Sequence, residues 1–318
     1  MENLMLKSIC LFFFVLTFLV ESTTASESSN YTPVNQHTTY FVAMDDGVEL
    51  EVIDWGGDDI PLVFLAGLSL NALTFDPIVH SFLDSHRVIG ITRVAHGNSD
   101  SRKSNYTTER LAKDIINVLN ELKFDSAIFA GHSFAGGELS HLGRHYPERV
   151  KGLIYIDAVQ DLDYMDSHLA VCPDLGYATI DTLHFQDNFY KTQRVKGDDG
   201  NYLPFADLSV LGKFLQEEED RSYAGIVAPA IAINHIPEET EDFFIGLANP
   251  NQKCIEEMNK LTYLGIASFI RDKENADVAA IQKSQHMIHM ATPEKLVEIM
   301  NNWLDRTFPL HRKPKQLR

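Results

Sequence analysis

Residues 126–137 read SAIFAGHSFAGG, and this stretch decides the architecture. Ser126–Gly131 is short and apolar, as a buried strand is; from Phe134 to His145 the pattern is helical, up to Pro147. A single turn joins the two, with Ser133 at its apex. Gly131 lies two residues before the serine, and Ala135, Gly136 and Gly137 follow it. Small residues allow a sharp turn, and a sharp turn exposes the hydroxyl at its tip. A serine is a poor nucleophile until it is exposed, close to a base and faced by donors for the oxyanion it creates. The turn supplies exposure, and the N–H of Phe134 supplies one donor at the positive end of a helix. The bland alternative is a glycine-rich turn with an idle serine. The strand before it and the helix after it favour the reactive reading.

Outward from the turn, strand-like and helix-like patterns alternate. Pro61–Ala66, Arg87–Thr92, Val150–Asp157, Ala230–Asn234 and Asp277–Ile281 read as buried strands. Thr39–Met44 and Val48–Asp54 flank Asp45-Asp46-Gly47 as a strand pair. Leu111, Ile115, Val118, Leu119 and Leu122 recur at helical spacing behind a Thr107/Thr108 cap. A closing helix runs over Pro293–Leu304, capped by Thr292, with Leu296, Val297, Met300, Trp303 and Leu304 on one face. Strands that are apolar throughout belong to a parallel sheet covered on both faces, and parallel strands need crossover helices. The chain is therefore α/β, without an internal repeat. Residues 158–225 break the rhythm with mixed charge, aromatics and Gly/Pro, and read as an inserted cap of short helices. Its aromatics, Phe214 among them, serve either as the cap's own small core or as the lining of an apolar pocket.

The ends carry other information. Ile9–Val20 is an apolar run behind Lys7 and ahead of a Ser/Thr-rich stretch, too short for a comfortable membrane span. Residues 1–25 are expected to be a signal peptide cleaved after Ala25, and 26–37 a flexible lead-in. Export would let Cys172 and Cys254 bond, although two isolated thiols fit as well, and would open Asn30 and Asn105, each in an Asn-x-Thr triplet, to glycosylation. Composition is that of an ordinary globular protein: 318 residues, 44% hydrophobic and 23% charged. The net charge of -18 disfavours nucleic-acid binding, and the one basic cluster is a solvated tail at 311–318 together with Arg306.

The elbow-like segment resembles that of the α/β-hydrolase superfamily, and the resemblance extends along the chain. Ala95-His96-Gly97-Asn98-Ser99-Asp100 is similar to that superfamily's Gly-His-Gly-x-Ser-Asp loop, and 144–150 (RHYPERV) to its bridge from the nucleophile helix to the sixth strand. The segment 286–294 (HMIHMATPE) resembles its catalytic-histidine stretch. The resemblance implies a mostly parallel eight-stranded sheet flanked by helices over 38–310, the cap following the sixth strand. It also implies the order Ser, acid, His along the chain. Two departures stand out. Ala135 occupies the place of the elbow's second glycine, and Ala66 that of the customary histidine before Gly67, a residue that mostly hydrogen-bonds for structure. The second oxyanion donor is then the main-chain N–H of Leu68, beside that of Phe134.

The base implied is His286, after the last strand and just ahead of the closing helix. His289 is expected to pack or face that helix, and His132 and His96 to be structural. The acid is open between two positions. Asp157 sits at the tip of the sixth strand, where some branches place it; Glu238 falls nine residues beyond Pro229, the commoner place, with Glu239 and Asp242 nearby. The serine sets the chain apart from the branches that attack with Asp. His286 and His289 lack companion ligands for zinc, and no glycine pattern points to a nucleotide, so neither metal nor cofactor is expected. The implied activity is that of a secreted serine hydrolase acting on a small acyl substrate such as a carboxylic ester. A catalytically silent binding protein on the same scaffold is the alternative, as is a cofactor-free perhydrolase or carbon–carbon hydrolase using the same residues.

Overall fold

The computed structural model describes residues 35–68, 70–159, 195–196, 202–203, 213–214, 222–236 and 252–309, the side chains of 195, 196, 202, 203, 252, 254, 255 and 258 excepted. The expected leader, Asn30, Cys172, the Cys254 thiol, Glu238, Glu239, Asp242, most of the cap and the basic tail lie outside them.

Within the described residues, eight strands form one sheet: β1 (Thr38–Ala43), β2 (Glu49–Gly56), β3 (Pro61–Leu65), β4 (Arg87–Ile91), β5 (Ala127–His132), β6 (Val150–Ile156), β7 (Ala230–Ile236) and β8 (Ala276–Gln282). Their spatial order is β1-β2-β4-β3-β5-β6-β7-β8. β2 runs antiparallel to β1 and β4, and every other pairing is parallel. The order is that of the α/β-hydrolase fold. The pleat sorts the core into two layers. Val63, Leu65, Ile89, Ile91 and Phe129 point to one side, under α1 (Thr108–Glu121), α2 (Ala135–His145) and Phe269 of α3 (Gln252–Asp272). Leu62, Phe64, Ile128, Ala130 and Ile154 point to the other, under Phe75 and Leu296, Met300 and Trp303 of α4 (Pro293–Thr307). Both faces are covered, which is why these strands read as unbroken apolar runs.

Local chemistry fixes the ends of the elements. Thr107 caps α1, its hydroxyl accepting from the Arg110 N–H at 3.2 Å. Thr292 holds the capping position of α4, but its hydroxyl meets Ser284 at 2.7 Å instead of a helix N–H. Pro293 opens the helix where an N–H would have no partner within it. Residues 72–79 form two short helical turns for which the sequence pattern gives no signal, the first started by the Asn71 side chain accepting from Leu73 N–H at 3.1 Å. The last residues of the lead-in are docked, with Asn35 N–H donating to Asp76 and the His37 ring 6.4 Å from Trp55. Asn105 is exposed just before α1. Phe214, from the cap region, is fully buried against Tyr106, His96 and Phe134 of the sheet domain. No helix among the described residues is long and apolar enough to cross a membrane.

Parallel pairing brings the functional segments to one edge. The register sets His132 opposite Ile156, Ile156 opposite Ile233, and Gln282 opposite Ile236. Residues one or two beyond these strand ends therefore lie side by side at the carboxyl edge, where open α/β sheets gather their sites.

Candidate active site

Ser133 follows β5 in the left-handed backbone region, at φ 54°, a conformation that costs a non-glycine residue free energy. The surroundings hold it there. Its N–H donates to Ile156 O at 3.1 Å, and its carbonyl accepts from Gly136 N–H at 2.9 Å at the start of α2. Gly136 is required at that point, because a Cβ on it would stand 2.2 Å from the Ala158 carbonyl oxygen. Ala135, the departure from the expected glycine, fits fully buried. The hydroxyl of half-buried Ser133 lies 2.8 Å from Nε2 of His286, in the loop between β8 and the turn Ile288–Ala291.

The other side of His286 answers the question of the acid among the described residues. Its Nδ1 hydrogen-bonds Asp157 Oδ2, which fixes Nδ1–H as donor and leaves Nε2 as acceptor toward Ser133. Asp157 is 2% exposed and sits one residue past β6, its N–H held by Ile233 O at 2.7 Å. Its other oxygen accepts from His235 N–H at 3.2 Å and from the Asn234 amide at 3.3 Å. His235 Nδ1 stands 2.7 Å from Oδ2, a close contact without hydrogen-bond alignment. Burial opposes ionisation of Asp157, but His235 and then His286 outweigh it and hold the carboxyl well below its usual range. His235 is the residue the sequence reading missed. The signal was available in the parallel register, which sets Asn234 and His235 beside whatever follows Ile156.

His132, His289 and His96, expected to pack or to be structural, are all buried. His132 lies under the site, its Nε2–H donating to the His286 carbonyl at 3.0 Å. Burial and the neighbouring His286 and His289 push it well below the ordinary imidazole range. His289 is fully buried, with Nε2 2.9 Å from the Thr74 hydroxyl, and burial brings it down to about 3. His96 is also fully buried and down to about 3, first through burial and then through Arg93. Of the histidines, it is His286 that hydrogen-bonds the Ser133 hydroxyl among the described residues.

The loop that carries Leu68 lies against the nucleophile turn. Gly67 abuts the turn so closely that a Cβ on it would stand 2.8 Å from His132 Nδ1 and 3.3 Å from Ser133 Cβ. The N–H of Leu68, one residue on, and that of Phe134 make no hydrogen bond among the described residues. Two main-chain donors beside an aligned serine and imidazole can stabilise a tetrahedral oxyanion.

Asp157, His235 and His286 also form the one cluster of three possible metal ligands among the described residues. Their spacing is too tight for a shared ion. Atoms sharing a zinc ion at bonds of ~2.0–2.2 Å stand about 3.3–3.6 Å apart in a tetrahedron. Here His235 Nδ1 is 2.7 Å from Asp157 Oδ2, and His286 Nδ1 is closer still.

With this geometry, the comparisons with known proteins are consistent. A family profile described as the alpha/beta hydrolase fold matches residues 60–207. The chain is 33% identical over 121 residues to the non-heme chloroperoxidase of Streptomyces lividans, a match covering 37% of this chain and 44% of that one. It is 31% identical over 125 residues to the bifunctional esterase/perhydrolase of Acinetobacter calcoaceticus, covering 38% and 45%. The chain thus spans less than half the length of these curated relatives. Among solved structures it is similar to E-2-(acetamidomethylene)succinate hydrolase, with a TM-score of 0.63 and 17% identity over 85% of this chain and 100% of that one. At that identity the likeness shows the fold.

Proposed function

The chain belongs to the α/β-hydrolase superfamily, and we propose that it is a serine hydrolase that cleaves a carboxylic ester or related acyl compound through an acyl-enzyme on Ser133. The observation that carries this reading is the continuous line from Ser133 Oγ through His286 to Asp157. Nε2 of His286 takes the serine proton as Oγ adds to the acyl carbon. The oxyanion so formed is met by the N–H groups of Leu68 and Phe134. The imidazolium then gives its proton to the departing alkoxide. Water, deprotonated by the same nitrogen, adds to the acyl-enzyme, and collapse of the second oxyanion releases the acid and restores Ser133. Asp157 remains ionised throughout, holding the imidazole tautomer and stabilising the imidazolium.

A second reading is favoured by the names of the relatives. Hydrogen peroxide in place of water would attack the same acyl-enzyme and release a peracid, using no residue beyond those already named. Acyl esters of graded chain length, offered with and without peroxide, separate the two. The hydrolase reading expects turnover in water alone that is lost in Ser133→Ala, and the second reading expects peracid formation to dominate once peroxide is present. No turnover under either condition would leave the binding-protein alternative. Export belongs to the same proposal, supported by the apolar run Ile9–Val20 and the small residues up to Ala25. Protein recovered outside the producing cell should then begin at Ser26.

A further inference from the structure

Ala66 stands where the superfamily resemblance sets a hydrogen-bonding histidine, so the loop carrying Leu68 lacks that side chain to hold it. The loop is held instead from the next strand. Arg93, two residues past β4, donates from Nη2 to Ala66 O at 2.8 Å and from Nη1 to Gly67 O at 3.3 Å. The Gly67 carbonyl also accepts from Leu70 N–H at 3.2 Å. The same guanidinium forks onto Glu138 in the first turn of α2, Nε to Oε1 at 2.7 Å and Nη2 to Oε2 at 2.6 Å, and its centre lies 4.9 Å from the centroid of the Phe134 ring. One buried cation thus touches the β3 loop, the residue after the nucleophile and the nucleophile helix; the Arg93 and Glu138 side chains are 5% and 3% exposed.

The consequence runs through peptide geometry. The Gly67 carbonyl and the Leu68 N–H belong to one planar trans peptide, so fixing the direction of the carbonyl fixes the N–H on the opposite side. A carbonyl that accepts from a charged donor is polarised, and its N–H becomes a better donor. Arg93 is itself placed by a locked segment. The Thr92 hydroxyl donates to Glu51 at 2.8 Å, the Ser99 hydroxyl donates to Thr92 O at 2.7 Å, and Glu51 N–H donates to Ser99 Oγ at 2.9 Å.

We infer that Arg93, paired with Glu138, is the positioning residue of the oxyanion hole: it sets the Gly67–Leu68 peptide so that Leu68 N–H and Phe134 N–H face the same oxygen. This rests on the serine-hydrolase reading and adds to it the group that pre-organises the first donor. Removing an oxyanion donor outright costs on the order of 10²–10³ in kcat, and an ångström of misplacement about 10²-fold.

The test uses the full chain and two variants, Arg93→Lys and the double Arg93→Met/Glu138→Leu. The double variant removes both charges together, so that no buried charge is left unpaired. Lysine keeps the charge but has no planar fork to span two carbonyls and a carboxylate. Folding is read from circular dichroism and the thermal transition, and turnover from an activated ester. Binding of an alkyl boronic acid, whose adduct with Ser133 carries an oxygen in the oxyanion position, gives a separate readout. The expected result is a folded double variant with kcat lowered about 10- to 100-fold, KM changed by less than about threefold, and boronate affinity lowered in step with kcat. Arg93→Lys should lie between it and wild type, and provides the measurement if the double variant does not fold. A folded variant with wild-type kcat, or one in which only KM rises, overturns the inference and leaves the hydrolase reading standing. A wild type that neither turns over ester nor binds boronate overturns both.

Discussion

The two flanks of Ser133 are each organised around one buried charge, of opposite sign. On one flank Asp157, an anion, collects donors from His286, His235, Asn234 and the chain itself. On the other flank Arg93, a cation, collects acceptors from Ala66, Gly67 and Glu138. In the proposed reaction the anion touches the imidazole that changes protonation state, so its charge enters directly. The cation touches main-chain carbonyls, so its charge enters only through the direction of a peptide. A group that moves protons needs a side chain at the site, whereas a group that receives a transient oxyanion needs only fixed N–H dipoles.

If that division holds, substitutions on the two flanks should differ in size. Ser133→Ala and His286→Ala should each lower kcat on the order of 10⁶-fold, measured with an activated ester on folded protein. Asp157→Asn should follow at about 10⁴-fold, since it keeps the shape but removes the charge and favours the wrong tautomer. A crippled Glu238→Gln beside a near-normal Asp157→Asn would break the comparison by moving the acid to the loop after β7. His235→Asn should cost only about tenfold, the kinetic equivalent of one charge-assisted contact of ~1.4 kcal/mol. A loss there as large as that of Asp157→Asn would make His235 part of the proton relay and not a support of the acid.

How much of this the sequence discloses depends on how local each feature is. The strands are legible because Pro61–Leu65, Ala127–His132 and Val150–Ile156 are covered on both sides and so apolar at nearly every step, exposed Lys151 and buried His132 excepted. Ser133 is legible because exposure at a strand–helix turn demands small neighbours within a few residues. Asp157 and Glu238 could not be separated by letters, since what singles out Asp157 is a donor shell gathered from β7 and the 283–287 loop. Arg93 and Glu138 are 45 residues apart and carry no mutual pattern. The turns at 72–79 were invisible because each spans a single turn, too short for any periodicity.

Acid pH offers a weaker probe of the same contrast. His96 and His289, at about 3, and His132, well below its ordinary range, all have folded values beneath the unfolded one near 6.5. The unfolded chain binds protons that the native state refuses, so stability should be flat above pH ~6.5 and fall as pH drops toward 3, at up to ~1.4 kcal/mol per pH unit for each histidine. Asp157 adds a further loss below its unfolded value near 3.9, where the unfolded carboxylate takes a proton before the native one. Thermal midpoints across pH 3–8 test this, and His289→Asn should flatten the upper part of the slope. Asp157, held well below its usual range, stays ionised and adds no limb of its own to the activity near neutral pH. The smallest effect expected is that of Thr107→Ala, far from either flank, which should cost ~1 kcal/mol of stability through the lost cap and leave kcat unchanged.

The central claim is that Ser133 is an activated nucleophile, and covalent labelling by a fluorophosphonate reads it without assuming any substrate. The reagent should modify the full chain at one site, mapped by mass spectrometry of peptides to Ser133. Labelling should vanish in Ser133→Ala, slow sharply in His286→Ala, and continue undiminished in His289→Ala. A wild-type protein that remains unlabelled, or one labelled at a different residue while Ser133→Ala still reacts, would contradict the account.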